Sequence, residues 1–500
     1  MTRVAVLADL GQQVYHVGDE AMGHAAVDEL RRRGYDVVLL SRDPAQTRRI
    51  FGHPAVPTLQ FPWSPAERED YLRRIRADGG AQLPPGDPAL ALMAELESVD
   101  ALLIAGGGNL NSRYGWLLYE RAAVAAIARS LGMPVVVSGQ TLGPVLTAQD
   151  AGVLAGMLRD AALVGVREST SARLAADLGV AAERGLDDAS FLADPPAPGA
   201  GSQEAESVPG LPAGPGLRDA VPEGPYVAVT LAPGGDAGYR RALAGALDRL
   251  HARTQLPTVF VPHMDVPGSS NIDGGIHADI AALMGTPHVL TPIADARSSA
   301  SLTRGASLVV STRYHPAVFA LAAGIPAVAL AVDAYSDARL RGAMENWGLA
   351  DFVLALPALQ GGLLDDALAE AWERRGDITA HLAGLRASLG SVAEKWWDAV
   401  AAVLADPEAA RQPAGFTAPA ALPATGSWKR SDEDLRRRFY PQSLLEARQA
   451  AEDERVRSHA APLEQALEEE RAAHGRLAGS RTVRTALAVH RVYSRLRPGR

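Results

Sequence analysis

The chain has 500 residues, 47% of them hydrophobic and 21% charged; that length exceeds what one hydrophobic core normally supports and implies two domains with a smaller addition. Cysteine is absent, which excludes disulfides, thiolate metal sites and a cysteine nucleophile, and Lys395 and Lys429 are the only lysines, which disfavours Schiff-base chemistry. The formal charge of −9 divides unevenly: residues 427–500 carry 16 Lys and Arg against 11 Asp and Glu, about +5, leaving about −14 for the rest.

The N-terminus, Met1-Thr2-Arg3-Val4-Ala5-Val6-Leu7-Ala8, enters an apolar strand without the apolar core and cleavage site of a signal peptide. No run reaches the roughly 18 to 20 apolar residues that span a bilayer. A cytoplasmic protein with at most peripheral membrane contact is expected. Strands are predicted at Arg3–Ala8, Asp36–Leu40, Ala101–Ala105, Pro134–Ser138 and Leu163–Val166, with helices at Ala21–Arg33, Gly115–Leu131 and Thr170–Leu178. A second series places strands near Tyr226–Leu231, Thr258–Val261, Val289–Thr291, Ser307–Ser311 and Ala327–Ala331. Apolar runs alternating with alanine-rich amphipathic segments indicate βα units on parallel sheets. The expected organisation is therefore α/β: a Rossmann-like domain over 1–194, a Pro/Gly-rich linker over 195–222, a second Rossmann-like domain over 223–405, a second linker over 406–430 and a helical, Arg-rich tail over 431–500.

Four segments at strand ends carry candidate chemistry. Gly18-Asp19-Glu20-Ala21 opens a helix; Asp19 either caps it or takes part in catalysis. Gly106-Gly107-Gly108-Asn109 leaves a sheet edge, where glycines let a ligand approach the backbone or simply allow a turn. The loop is neither a Walker A sequence nor a dinucleotide fingerprint. Arg167 follows Leu163–Val166 and can fork onto phosphate or carboxylate, or pair internally with Glu168 or Asp188; Ser169 can cap the next helix. In Ser311-Thr312-Arg313-Tyr314-His315-Pro316, Pro316 suits position N1 of a helix, placing Arg313 and His315 at its start on the carboxyl edge. His263 ends another strand and approaches the same edge.

Together these segments resemble the polysaccharide pyruvyl transferase family. Its early Gly-Asp-Glu-Ala turn, glycine triplet, Arg-(Asp/Glu)-x-x-Ser segment and late Arg-x-His segment correspond to Gly18–Ala21, Gly106–Gly108, Arg167–Ser171 and Arg313–His315. Two departures stand out: His16 replaces the usual Asn, and Pro316 replaces the usual Ala. The resemblance implies a glycosyltransferase-B-like pair of facing Rossmann-like domains and transfer of pyruvate from phosphoenolpyruvate to a sugar of a cell-surface glycan, forming a ketal. It implies no cofactor beyond phosphoenolpyruvate as co-substrate, no metal, and a glycan or lipid-linked sugar as acceptor. The roles that follow are His315 and Asp19 as catalytic groups, Arg313 and Arg167 as anion clamps, and His263 with Gly106, Gly107, Gly108 and Asn109 as substrate-binding residues. A nucleotide-sugar glycosyltransferase and a non-catalytic glycan-assembly protein are the alternatives.

In the tail, Leu463, Leu467 and Leu477 partly match a heptad. Arg481, Arg484, Arg491 and Arg495 share one helical face, with Val483, Leu487, Tyr493 and Leu496 largely on the other. Such a helix over 480–500 can rest on an anionic membrane or dock onto the acidic body. No aromatic RNA-binding motif or zinc-finger spacing accompanies the arginines, so no nucleic-acid partner is expected.

Overall fold

The two series of apolar runs form two parallel sheets. In this computed structural model, residues 2–77, 82–194, 211, 217, 221–407 and 415–496 are described. The first half contains β1 (Arg3–Leu7), β2 (Tyr15–His16), β3 (Asp36–Ser41), β4 (Ala55–Pro57), β5 (Ala101–Ile104), β6 (Gly107–Leu110), β7 (Val135–Leu142), β8 (Leu163–Val166) and β9 (Glu183–Arg184). The second contains β10 (Val227–Thr230), β11 (Thr258–Phe260), β12 (Met264–Asp265), β13 (His288–Leu290), β14 (Leu308–Ser311), β15 (Ala327–Ala331) and β16 (Val353–Ala355). Their orders are β4-β3-β1-β5-β7-β8-β9, with β6 beside β7, and β13-β11-β10-β14-β15-β16. Each sheet reverses its winding at its first strand, between β1 and β5 and between β10 and β14. That switch point is where open α/β sheets bind ligands. Strands such as Val4–Leu7 and Leu308–Val310 are apolar without alternation because helices cover both faces.

The halves are in register with one another. β2 pairs antiparallel with β12, His16 opposite Met264, and the Val17 amide donates to the His263 carbonyl at 3.0 Å. Tyr15, Val17, Ala21 and Met22 of the first half belong to one continuous apolar cluster with Val229, Phe260 and Phe319 of the second. The helix Arg375–Ala405, assigned from sequence to the second domain, crosses back onto the first. Its Trp396, Trp397 and Val400 pack with Val4, Val6 and Leu103, and Trp396 Nε1 donates to Ser138 Oγ at 2.9 Å.

Most of the 195–222 segment lies outside the described residues, but Leu211 and Leu217 within it are buried in the core. The second expected linker is likewise docked rather than free over its described part. The Leu422 amide donates to the Gly348 carbonyl at 2.8 Å, and Glu370 accepts from the Thr425 and Gly426 amides and Trp428 Nε1. Backbone amides satisfied in this way let a Pro/Ala-rich strand lie on the domain without a sheet.

The tail helix Trp428–Gly479 begins on the second domain, where Trp428, Asp432, Arg436 and Tyr440 are buried. It then reaches the first: Arg448 donates to the Pro144 carbonyl at 3.0 Å, and Arg455 and His459 meet Glu69 at 2.9 Å. Leu463 and Leu467 are exposed, so these two leucines form no seam among the described residues; the Leu477 side chain lies outside them. A second helix spans Arg481–Leu496, and its side chains beyond Arg491 also lie outside the described set.

Candidate functional site

Segments that follow β1, β5, β11, β14 and β15 meet between the sheets and enclose a cavity of about 240 Å³. Its walls include His16 and Asp19 at the start of the first helix, Gly108 and Asn109, His263, Arg313 to His315, and Arg339. All these segments leave carboxyl ends of parallel strands, so the two edges face each other across the cavity.

His315 stands in the first turn of the helix Tyr314–Ala322, whose N-cap is Arg313. Pro316 is therefore the third helical residue, not the first; the first turn tolerates it because those amides have no partner within the helix. The His315 ring is buried, edge-on to Tyr314 at 5.0 Å between centres and 5.9 Å from Phe319. Its Nε2 lies 3.8 Å from Asp187 Oδ2. The opposite side of the ring lies against Gly18: a Cβ there would stand 2.6 Å from His315 Cγ and closer still to Nδ1 and Cε1. Gly18 is thus required by close packing across the domain boundary, since it sits inside a helix rather than in a turn. Burial pulls the His315 pKa down to about 4, against the opposing charge of Asp187.

Asp19 does not cap its helix, which starts at Val17 with His16 at the cap position. Instead Asp19 Oδ2 accepts from His16 Nδ1 at 3.1 Å. Burial disfavours its charge, but that hydrogen bond and the positive charge around His16, with His315 and Arg339 beyond, hold Asp19 down at about 2. Burial likewise opposes the charge on His16, yet Asp19 outweighs it and the His16 pKa is raised.

The arginines are not equivalent. Arg167 is fully buried beneath the cavity wall: Nη1 donates to Asp187 Oδ2 at 2.5 Å, Nε donates to Thr141 Oγ1 at 2.9 Å, and the guanidinium lies 4.3 Å from the Tyr314 ring centre. Its carboxylate partner is Asp187 rather than Asp188, and Glu168 stands farther off at 3.9 Å. Arg313 does line the cavity, but Asp273 takes its Nη2 at 2.5 Å and its Nε at 3.3 Å. Asp273 also accepts from the His263 amide at 3.1 Å, so Arg313 positions the His263 loop. Arg339, absent from the sequence reading, lines the cavity and has no carboxylate within 4.0 Å among the described residues.

The expected glycine loop is partly a strand, since β6 begins at Gly107 and pairs with β7. The Gly106 amide donates to Asp188 at 3.0 Å, behind the wall, while Gly108 and Asn109 reach the cavity. Ser169 does not cap its helix either; Glu168 holds that position, and Ser169 Oγ donates to Glu345 of the other domain at 2.6 Å. His263 is buried and faces the cavity with both ring nitrogens unpartnered among the described residues. Burial and the nearby positive groups push its pKa well down.

Sequence reasoning missed Asp187, Asp273, Tyr335 and Arg339. Arg339 was accessible to the strand-end rule, because it lies on the helix that follows β15, whose bounds were predicted correctly. As to metal ligands, Asp9, His16 and Asp19 each offer an atom within 4.8 Å of the others. Arg42 pairs with Asp9, and His16 with Asp19, so the cluster already carries internal cations.

The fold and the cavity define a two-domain α/β protein whose ligand site lies between the carboxyl edges of two parallel sheets. A sequence model described as Polysaccharide pyruvyl transferase matches residues 16–334, and the chain belongs to that family; it is a transferase. Comparison with curated proteins returns no match. Among solved structures, S. aureus MnaA in its UDP co-structure shares 10% identity over 84% of this chain and all of its own, with a TM-score of 0.50. A putative UDP-N-acetylglucosamine 2-epimerase from Listeria monocytogenes shares 11% identity over 85% of this chain and 99% of its own, at 0.49. The architecture is glycosyltransferase-B-like.

Proposed function

We propose that the protein transfers the pyruvyl group of phosphoenolpyruvate to two hydroxyls of one sugar in a cell-surface glycan or its lipid-linked precursor, releasing phosphate and leaving a ketal. One observation carries this reading beyond the family. Both ring nitrogens of His263 and Oδ1 of Asn109 are buried without a hydrogen-bond partner among the described residues, and both residues line one cavity. Buried polar atoms are normally paired; these are placed to meet a polar ligand.

The chemistry asks for a proton at the methylene carbon of phosphoenolpyruvate, attack of one hydroxyl oxygen on the adjacent carbon, and displacement of phosphate by the second hydroxyl. His315, neutral at pH 7 in the free protein, fits a group that takes a hydroxyl proton or contacts phosphate. The acid is assigned to His16, which lines the same cavity and whose pKa the Asp19 hydrogen bond raises against the effect of burial. His16 stands where the family usually has Asn, so this division of roles belongs to this chain. Incubation with labelled phosphoenolpyruvate and a glycan pool should release phosphate and label a sugar. Labelling from a nucleotide sugar instead would move the protein to glycosyl transfer, and full phosphate release by His315→Ala would remove His315 from the chemistry.

In this reading the enzyme works in the cytoplasm, and the helix Arg481–Leu496 rests on the anionic inner membrane face where lipid-linked acceptors sit. Exposed Leu487 and Val489 on the same helix as Arg481 and Arg484 support that contact, and no helix among the described residues is long and apolar enough to cross a membrane. Liposome sedimentation with and without residues 480–500 tests it; equal partitioning would remove the proposal.

A further inference from the structure

We infer that Arg339 binds the anionic group of the donor substrate, a small phosphorylated or carboxylated molecule. The inference rests on the reading above only in taking phosphoenolpyruvate as that donor. Its first support is a comparison of charges. Three guanidiniums approach the cavity region; Asp187 neutralises Arg167, and Asp273 neutralises Arg313 through two nitrogens. Arg339 alone of the three has no acidic partner among the described residues, and its Nε is buried without a hydrogen bond. Asp19 and Glu168 feel its charge only from beyond ion-pair distance, so no carboxylate occupies the fork, and a partly buried guanidinium in that state favours a ligand that brings negative charge.

The second support is rigidity. Nη1 of Arg339 donates to the Tyr335 hydroxyl at 2.8 Å, and the guanidinium carbon lies 4.7 Å from the Tyr314 ring centre and 4.9 Å from that of Tyr335. Two aromatic rings and one hydrogen bond hold the planar fork in place before any ligand arrives, which is what recognition of carboxylate or phosphate by arginine requires. The same Tyr335 hydroxyl donates to the Gly108 carbonyl of the other domain, so the fork is fixed relative to both walls. Gly108 keeps the approach open: a Cβ there would stand 2.7 Å from Arg339 Cζ. Arg339 lies beyond residues 16–334 that the family sequence model covers.

The test is binding of phosphoenolpyruvate, inorganic phosphate and UDP to the full-length protein by calorimetry, with Trp116 in the cavity wall as a fluorescence reporter. Removing an arginine from a charge-assisted contact should weaken binding about tenfold to a hundredfold. Arg339→Gln is expected to show that loss for phosphoenolpyruvate, and Arg339→Lys to recover part of it, with both variants keeping the wild-type circular dichroism. Wild-type affinity for phosphoenolpyruvate in a folded Arg339→Gln protein would overturn the inference and leave the pyruvyl-transfer reading intact. If the wild type binds UDP but not phosphoenolpyruvate, and Arg339→Gln loses UDP, the anion role stands and the donor assignment falls. Wild-type binding of none of the three probes would overturn both.

Discussion

Replacing Gly18 by alanine tests the contact between the family's first and last motifs. The added methyl would stand 2.6 Å from His315 Cγ and nearer to two other ring atoms, where ordinary contact begins at 3.4 Å. The ring must therefore retreat by about 1 Å or more. It has little room to do so: Tyr314 and Phe319 pack against it and Asp187 stands 3.8 Å from its Nε2. Overpacking of this kind costs about 1–3 kcal/mol, and a misplacement of about 1 Å at a reacting group can cost about a hundredfold in rate. Gly18→Ala should thus unfold at a lower temperature and release phosphate from phosphoenolpyruvate about two orders of magnitude more slowly, with far-ultraviolet circular dichroism unchanged. Wild-type turnover together with wild-type melting would show that the two motifs are not in mechanical contact and would refute the packing argument.

Glu20 is buried beside Asp19 and Asp9, and burial followed by those two charges pushes its pKa from 4.5 to about 8. Its contribution to stability is full below pH 4.5 and is lost as the pH rises toward 8; Glu20→Gln should therefore gain melting temperature over wild type between pH 5 and 8, whereas parallel pH profiles would count against it. Asp273→Asn leaves Arg313 without its partner and should lower stability by about 2–3 kcal/mol in urea unfolding, below the usual cost of breaking a fully buried pair because Arg313 retains some exposure. Glu69→Gln removes the carboxylate that Arg455 and His459 share. It should change global stability by less than about 1 kcal/mol while increasing tryptic cleavage within 441–479, and an unchanged cleavage pattern would show that the tail docks by other contacts.

Much of the architecture was legible because buried parallel strands announce themselves as short apolar runs. Leu163–Val166 and Ala327–Ala331 were placed to the residue. The short strands were not: Tyr15–His16 and Met264–Asp265 have no periodicity of their own and exist only because each is the other's partner. Local rules also misplaced three helix starts. Asp19, Ser169 and Pro316 each suited a cap or first position, but the helices begin at Val17, Ser169 and Tyr314, with Asp19 bonded to His16 and Ser169 to Glu345 of the other domain. At the site, the strand-end rule found His315, Arg313, His263, Asp19 and Asn109, and it stopped one strand short of Arg339.

What the sequence determined by itself was the residue types available at each carboxyl edge, since apolar runs and helix starts are local properties of the chain. Which arginine is left without a paired carboxylate among the described residues was decided only in three dimensions. Arg167 and Arg313 carry the family motif, yet Asp187 and Asp273, 20 and 40 residues distant, neutralise them. Neutralisation depends on which carboxylate folding brings within a few ångströms, and the order of residues along the chain does not record that distance.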